Sequence, residues 1–216
     1  GAIVGIADKI DTIVGCFSIG IVPTGSQDPY ALRRQAAGIV STILEHRLEL
    51  TLPELFGIVF EVHGARGFKR EQYDIRRDLE EFFSLRVKNV LADQDVRYDV
   101  IDAVLGSGND DVRRTLLRAQ ALQKQAAADT AAFKPAVEAF NRVCNLAAKA
   151  ESRQVDALLF AEPAEGALFE AWQAAHGEFL KAVAETRMDD ALAALASLSE
   201  QIAAYFEAVM VMAEDQ

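Results

Sequence analysis

Apolar residues recur every three or four positions along nearly the whole chain, a spacing typical of amphipathic α-helices. Sustained alternation of β-branched residues is absent, and no Asn-Gly or Asp-Gly turn separates two apolar runs, so strands are not indicated. We therefore predict an all-α fold, a bundle of about eight or nine helices. The expected helices lie at about 3–17, 29–47, 52–63, 71–93, 97–105, 110–127, 134–150, 163–184 and 189–213.

The ends of these segments carry residues that start or stop helices. We expect Asp28 to cap the second helix with its carboxylate, and Pro29 to occupy the first helical position. The run at 106–110 is rich in glycine and polar residues, so we expect a loop there. The loop at Thr24, Gly25 and Ser26 could hold an anion through exposed backbone N–H groups, but capping and turn formation explain these residues adequately.

The charge is distributed unevenly along the chain. Residues 1–149 hold 19 Lys/Arg and 20 Asp/Glu, a balance of −1, whereas residues 150–216 hold 3 and 13, a balance of −10. Affinity for phosphate rests on Lys and Arg that displace counterions. We therefore expect any RNA contact in the first two thirds of the chain, and a solvated or partner-facing surface in the acidic last third.

Size and composition narrow the class of protein. A chain of 216 residues can bury roughly 70% of its unfolded surface, so a real core is expected. The sequence contains no apolar run long enough to span a membrane and no signal peptide pattern. We expect Cys16 and Cys144 to be buried free thiols, as suits a reducing cytosol.

Four segments, in the same order, resemble the bacterial glycyl-tRNA synthetase β subunit. They are ADKIDT, GCFSIG and PTGSQDPYALRR within 7–34, RYDVIDAVL at 97–105, AFNRVCNL at 139–146 and YFEAVMVMAED at 205–215. Asn141 stands where this family more usually has a lysine. The resemblance implies the C-terminal part of that subunit, with 1–50 as the last helices of an HD-like domain. It implies that 51–216 form a DALR-like anticodon-binding domain that lacks its final helix.

The resemblance also implies a function and partners. The family attaches glycine to tRNA(Gly) with ATP, and catalysis with ATP and Mg is placed on a separate α subunit. We therefore expect no catalytic centre and no cofactor in this chain. The implied partners are tRNA(Gly) and the α subunit in an α2β2-type assembly, in the cytoplasm, without a membrane or DNA.

Direct inspection of the chain identifies no catalytic motif and no metal site. A phosphate-binding glycine loop, a Gly-x-Ser-x-Gly turn and a Cys-x-x-Cys pair are all lacking. Three histidines are scattered, at His46, His63 and His176. Asp8 stands where true HD hydrolases close their metal site, but one carboxylate cannot hold a divalent metal, so we expect a structural role, with Lys9 or Arg33 as its partner.

Basic and amide side chains supply the candidate tRNA contacts. We expect Arg86, Lys88 and Arg97 to hold the RNA backbone, and Arg142 and Asn145 to share an exposed helix face. Lys134 stands near that helix's N-terminus, where the helix dipole favours phosphate. Neighbouring features have structural explanations: Phe82 and Phe83 fit a core, and Arg76–Glu80 and Arg77–Glu81 have the spacing of helix-surface ion pairs.

Two other interpretations stay open from the sequence. The acidic last third fits a helical subunit-assembly module with no direct RNA contact. The position of Asp8 fits a remnant of an HD phosphohydrolase, although a His-Asp pair is absent from the sequence.

Overall fold

The structure, a computed structural model, describes residues 1–64, 67–128, 133–152 and 154–209. These residues form α-helices, one short 3₁₀-helix and no strand, which confirms the predicted all-α fold. The helices are α1 (Ala2–Ser18), α2 (Leu32–Glu45), α3 (Leu52–Gly64), α4 (Gln72–Ala92), α5 (Tyr98–Gly106), α6 (Val112–Ala127), α7 (Phe133–Ala147), α8 (Pro163–Ala184), α9 (Met188–Ala196) and α10 (Ser199–Ala208). The 3₁₀-helix is Ala157–Leu159.

The chain divides into two compact units, Gly1–Gln120 and Ala121–Gln216, which we call unit 1 and unit 2. The predicted boundary near residue 50 falls inside unit 1. The assignment of 1–50 and 51–216 to two family domains stays a prediction. None of the helices in the described ranges is long and apolar enough to cross a membrane.

Unit 1 is built around α4, which packs against α1, α2 and α5, while α1 also packs against α2 and α3. Its interior is rich in aromatic and branched side chains. Phe82 and Phe83 lie inside it, as the sequence predicted, and they meet Phe17 and Phe56 edge to face with ring centroids 5.1 and 5.2 Å apart. Such pairs favour one packing geometry and so help to fix how the helices cross.

The start of α2 differs from the prediction. The helix begins at Leu32 rather than at Pro29, because Ala31 takes a left-handed conformation with φ of 53° after a tight turn. The predicted capping role of Asp28 is nevertheless confirmed. Its carboxylate accepts hydrogen bonds from the backbone N–H groups of Leu32 at 2.7 Å and Arg33 at 3.0 Å. The loop before it turns through a backbone pair between Thr24 and Gln27.

The predicted ion pairs on α4 were wrong. Arg77 pairs with Asp74 at 3.4 Å and with Asp78 at 3.3 Å, not with Glu81. Arg76 places its guanidinium over the ring of Phe60, 5.2 Å from the centroid, instead of pairing with Glu80. Helical spacing shows which residues can meet, but the neighbouring helix determines which of them do.

Unit 2 has a smaller core. Ala139, Ala175, Leu198 and Ile202 are buried together, and partly buried hydrophobic residues surround them: Phe140, Val143, Leu168, Ala171 and Phe206. Within the unit α8 packs against α9 and α10, and α7 packs against α10 and α9. Lys124 bonds Asp189 at 3.0 Å, which connects the end of α6 to the start of α9.

The long last helix predicted at 189–213 is two helices in the structure, α9 and α10, and its predicted end lies outside the described residues. The break lies at Ser197 and Leu198. The hydroxyls of Ser197 and Ser199 each bond a backbone carbonyl three residues earlier, at 2.8 Å, which competes with continued helix. The break leaves Leu198 and Ile202 in the core of unit 2.

Candidate nucleic-acid interface

In unit 1 two of the predicted tRNA contacts lie on the surface within ion pairs. Lys88 on α4 donates to Asp102 at 2.6 Å. Arg97 forms a two-pronged bond with Asp99, with Nε and one terminal nitrogen 3.1 and 2.6 Å from the carboxylate oxygens. The hydrogen bond from Arg97 lowers the pKa of Asp99. Arg97 is exposed and Lys88 is half-buried, and a phosphate would compete with carboxylates that already neutralise them.

Arg86 lies in the interior of unit 1 rather than on its surface. Only 6% of this residue is exposed. One terminal nitrogen donates to the carbonyl of Phe82 at 2.9 Å, and the guanidinium lies 4.0 Å from the centroid of the Phe82 ring. Burial lowers the pKa of Arg86, and the positive charge of Arg33 adds to this effect. A side chain held in this way is poorly placed to reach an RNA phosphate, so we exclude Arg86 from the proposed contacts below.

In unit 2 the predicted residues of α7 are all exposed. Arg142 and Asn145 stand one turn apart on its surface. The guanidinium of Arg142 lies over the ring of Phe206 on α10, 4.0 Å from its centroid, which fixes the charge at a defined place. Lys134, at the start of α7, is highly exposed and stands 3.9 Å from Glu138.

A cavity of about 280 Å³ with charged side chains in its lining adjoins Arg142 between α7 and α10. It is lined by Pro135, Glu138, Ala139, Arg142, Ser199, Glu200 and Ala203. Its side chains therefore include one cation, two carboxylates and one hydroxyl. Carboxylates accept from the exocyclic amine of cytosine, and arginine holds phosphate or an acceptor edge. This composition is suited to polar contacts with an unstacked base.

Other candidate groups from the sequence lie in unit 1, on α1 and α3. Asp8 is exposed, and the neighbouring Lys9 donates to the carbonyl of Gly5 at 3.0 Å. His63 bonds Asp11 at 2.8 Å and lies parallel to the ring of Phe68. Within the described ranges, no three His, Cys, Asp or Glu side chains converge as metal ligands would.

The two cysteines are both free thiols, as predicted, but their burial differs. Cys16 is half-buried, whereas Cys144 is exposed, so the prediction of a buried thiol was wrong for Cys144. Burial raises the pKa of the Cys16 thiol, and the nearby carboxylate of Asp28 raises it further.

One aromatic surface in unit 2 was not predicted from the sequence. On α8 the ring of Trp172 stacks on Phe169 and on His176, with centroids 5.8 and 5.0 Å away. Phe160 meets Phe169 edge to face at 5.8 Å. The spacing of 169, 172 and 176 along one helix face was the signal that could have revealed it.

Comparison with known proteins gives matches over the whole chain. A family model described as glycyl-tRNA synthetase beta subunit matches residues 1–106. The glycine–tRNA ligase beta subunit of Halalkalibacterium halodurans is 43% identical over 218 residues, covering 100% of this chain and 31% of that protein. The chain belongs to the glycyl-tRNA synthetase beta subunit family. The identification from the four sequence segments is thereby confirmed.

Two further members of the family agree. The beta subunit of Geobacter sulfurreducens is 42% identical over 222 residues, with 99% of this chain and 31% of that protein covered. That of Bacillus subtilis is 39% identical over 216 residues, covering 100% of this chain and 30% of that protein. The chain thus spans about a third of the length of these glycyl-tRNA synthetase beta subunits.

Proposed function

We propose that this chain is the tRNA-binding, anticodon-recognising region of the beta subunit of a glycine–tRNA ligase, acting in the cytoplasm. The observation that carries the proposal is the match of the entire chain to glycine–tRNA ligase beta subunits, such as that of Halalkalibacterium halodurans at 43% identity. The ligase would attach glycine to tRNA(Gly) with ATP. In this arrangement the chain binds tRNA, and the chemistry takes place on the α subunit.

The α7 surface of unit 2 is the most suitable place for base recognition. Arg142 is positioned by Phe206, Asn145 offers both donors and an acceptor, and the adjoining cavity carries carboxylates and a hydroxyl. A glycine anticodon has cytosine at its second and third positions, and the cytosine amine needs an acceptor such as Glu138 or Glu200. Lys134 would supply a phosphate contact near the start of α7.

Lys88 and Arg97 of unit 1 would serve the RNA backbone. Each is paired with a carboxylate, Lys88 with Asp102 and Arg97 with Asp99, so a phosphate would replace an existing partner rather than meet a bare cation. Because one negative group would replace another, the gain in electrostatic attraction would be small. These contacts would therefore be weaker than those of a lysine with no neighbouring carboxylate. We therefore expect Lys88 and Arg97 to add orientation more than affinity.

The cofactors of the ligase belong to the partner in this proposal. The donor set of the described residues does not fit a divalent metal, because no three ligating side chains converge. As the family resemblance implies, ATP and Mg would bind the α subunit, and an α2β2-type assembly would bring tRNA from this chain to that site.

Binding to a glycine tRNA transcript tests the proposal. The chain should bind the native transcript more tightly than one in which both anticodon cytosines are replaced. Arg142→Ala should weaken binding and reduce the slope of log affinity against log salt by about 0.7–1, as expected when one phosphate contact is lost. Arg97→Ala should change the slope by less, since Asp99 already compensates that charge.

Matched controls remove one exposed cation elsewhere in the same unit. Lys181→Ala controls for Arg142→Ala, and Lys69→Ala controls for Arg97→Ala; both side chains are exposed. If the two transcripts bind equally, the anticodon part of the proposal fails. If Arg142→Ala leaves the salt slope unchanged, Arg142 is not a phosphate contact, and if it leaves the affinity unchanged as well, Arg142 is not a tRNA contact.

A further inference from the structure

The cavity beside Arg142 has two carboxylates in its lining, and their surroundings differ. Glu138, on α7, stands 3.9 Å from the ammonium nitrogen of Lys134. Glu200, in the first turn of α10, forms no hydrogen bond or ion pair among the residues that the structure describes. A ligand of Glu138 would have to share or displace Lys134, whereas a ligand of Glu200 would displace only water.

The other polar side chains of this cavity have defined roles. The hydroxyl of Ser199 donates to the carbonyl of Ala196 at 2.8 Å, so its hydrogen is already used. The guanidinium of Arg142 is held over the ring of Phe206 and carries five N–H donors, enough for a phosphate and for an acceptor atom of a base. An arginine only donates and an ionised carboxylate only accepts. Arg142 and Glu200 therefore present a donor group and an acceptor group to the same cavity.

A donor group beside an acceptor group matches one pyrimidine base and mismatches the other. The Watson–Crick edge of cytosine offers an amine donor at N4 and acceptors at N3 and O2. The same edge of uracil has an acceptor at O4 and a donor at N3. A carboxylate that faces O4 would find no donor there and would be repelled by the partial negative charge of that oxygen. A carboxylate near a cation can therefore select cytosine over uracil.

We propose that Glu200 is the residue that selects cytosine, by accepting a hydrogen bond from the N4 amine of one of the two anticodon cytosines. This role rests on the proposed function, because it takes the cavity beside Arg142 as the place of base recognition. Arg142 donates to the acceptor side of the same base. Glu138 stays with Lys134 and takes no part in the discrimination.

A ratio of two affinities separates this role from a general effect of charge. Removing a carboxylate from a surface that binds RNA reduces the repulsion of every tRNA by a similar factor, so the ratio between two transcripts stays the same. Glu200→Gln retains an amide oxygen for cytosine and adds N–H donors that can serve O4 of uracil. This variant should therefore lower the preference for cytosine, whatever its effect on the overall affinity.

Three glycine tRNA transcripts serve as probes. They are the native transcript, one with uracil in place of the cytosine at the second anticodon position, and one with uracil at the third. Each is titrated with the original chain and with Glu200→Gln at one salt concentration. At the position that Glu200 reads, we expect the original chain to prefer cytosine by about tenfold or more and Glu200→Gln by less than about threefold. At the other position the variant should keep the original preference within about twofold.

Two matched variants remove the same charge from the same unit. Glu138 lines the same cavity, and Glu207 lies on α10 outside the lining. Both residues are exposed, as is Glu200, so the helical content of all three glutamine variants should match that of the original chain. Neither Glu138→Gln nor Glu207→Gln should change the preference for cytosine by more than about twofold at either position.

The outcomes separate this role of Glu200 from the proposed function itself. If the original chain prefers cytosine and Glu200→Gln keeps that preference, Glu200 is not the selecting residue, while anticodon recognition stands. If Glu138→Gln abolishes the preference as fully as Glu200→Gln does, the two carboxylates act together and the assignment to Glu200 alone is wrong. If the original chain binds none of the transcripts, or binds all three equally, anticodon recognition fails and the role of Glu200 fails with it.

Discussion

Units 1 and 2 are both all-helical within the described ranges, but they fill their interiors with different side chains. All of the largest fully buried side chains of the described residues lie in unit 1, among them Phe17, Phe56 and Phe83. The buried core cluster of unit 2 has two alanines beside Leu198 and Ile202. An alanine buries far less apolar area than a phenylalanine, so each buried position of unit 2 contributes less to stability.

The aromatic residues of unit 2 are placed where a partner can reach them. Trp172 and Phe169 line an open groove, and Phe206 supports Arg142 at the surface. Unit 1 uses equivalent rings to hold its own helices together. The rings named in unit 1 contribute to its core, while both units also expose large apolar side chains, such as Ile3 and Ile58 in unit 1 and Trp172 in unit 2.

The largest expected effect is the removal of a central ring from unit 1. Phe83 is fully buried and contacts Phe56 and Phe82 edge to face. Phe83→Ala should lower the free energy of unfolding of unit 1 by about 3–5 kcal/mol, because it removes apolar contacts and leaves a cavity. Hydrogen exchange of the α4 amides, measured against urea concentration, reports this change.

Phe206→Ala is the matched variant in unit 2. Phe206 is only partly buried, so its loss should cost clearly less than the loss of Phe83. Equal losses for the two variants would show that the cores of the two units do not differ in the way described.

A smaller effect is expected for the core of unit 2. Ile202 is 3% exposed and packs in the core cluster. Ile202→Ala should lower the stability of unit 2 by about 2–3 kcal/mol, and the urea midpoint seen by Trp172 emission should fall. Leu180→Ala, at a half-exposed position of α8, should change it by less than about 0.5 kcal/mol. In Ile202→Ala, the protection of the α4 amides in unit 1 against hydrogen exchange should stay the same. A loss of this protection would mean that the two units unfold together.

Much of this fold follows from helical periodicity and capping residues. The ends of α8 and the capping role of Asp28 were predicted correctly, because local sequence determines both. The failures have a common cause. The start of α2, the break at Ser197 and the partners of Arg76 and Arg77 depend on how other parts of the chain fold around them.

The features of the candidate site also divide into those that the local sequence predicts and those that depend on the rest of the fold. Exposure of Arg142 and Asn145 follows from their positions on one amphipathic helix. The burial of Arg86 does not follow from the spacing of residues along α4. It depends on the groups that interact with the guanidinium in the core, which here are the ring and the carbonyl of Phe82. The stacked rings of α8 could have been predicted from their spacing, but the apolar cavity that Phe169 and Trp172 line could not, because its lining comes from separate segments of the chain.

A moderate loss of stability is expected when the connection that Arg70 makes between α1 and α4 in unit 1 is removed. Arg70 donates to the carbonyl of Phe17 at 3.2 Å and to Asp78 at 2.6 Å. The hydrogen bonds from Arg70 and then Arg77 hold the pKa of Asp78 below its ordinary value. A carboxylate with a lowered pKa in the folded state stabilises the fold above its unfolded pKa, about pH 4. That contribution is lost as the pH falls through the folded value.

Asp78→Asn should therefore destabilise unit 1 by about 1–2 kcal/mol at pH 7 and by less at pH 3. Urea unfolding at both pH values measures this difference. Arg97 also lowers the pKa of Asp99, but that pair is exposed to solvent, so Asp99→Asn should leave the stability unchanged at either pH. A loss for Asp78→Asn that does not depend on pH would mean that packing, rather than charge, is what the aspartate supplies.

The smallest expected effect concerns the two thiols, one in each unit. Cys144 is exposed on α7, whereas Cys16 is half-buried on α1 and its pKa is raised by burial and by Asp28. An aromatic disulfide reagent should modify Cys144 at least about tenfold faster than Cys16 at pH 8, since the thiolate is the reactive form and it must be reachable. The Cys16→Ser and Cys144→Ser variants assign each rate to its residue. The rate at Cys16 should keep rising with pH beyond about 9, where an ordinary thiol is already ionised. Similar rates at pH 8 would mean that α1 exposes the Cys16 thiol to solvent about as readily as α7 exposes the Cys144 thiol. The core of unit 1 would then protect its residues no better than unit 2 does, and the contrast between the two units would be wrong.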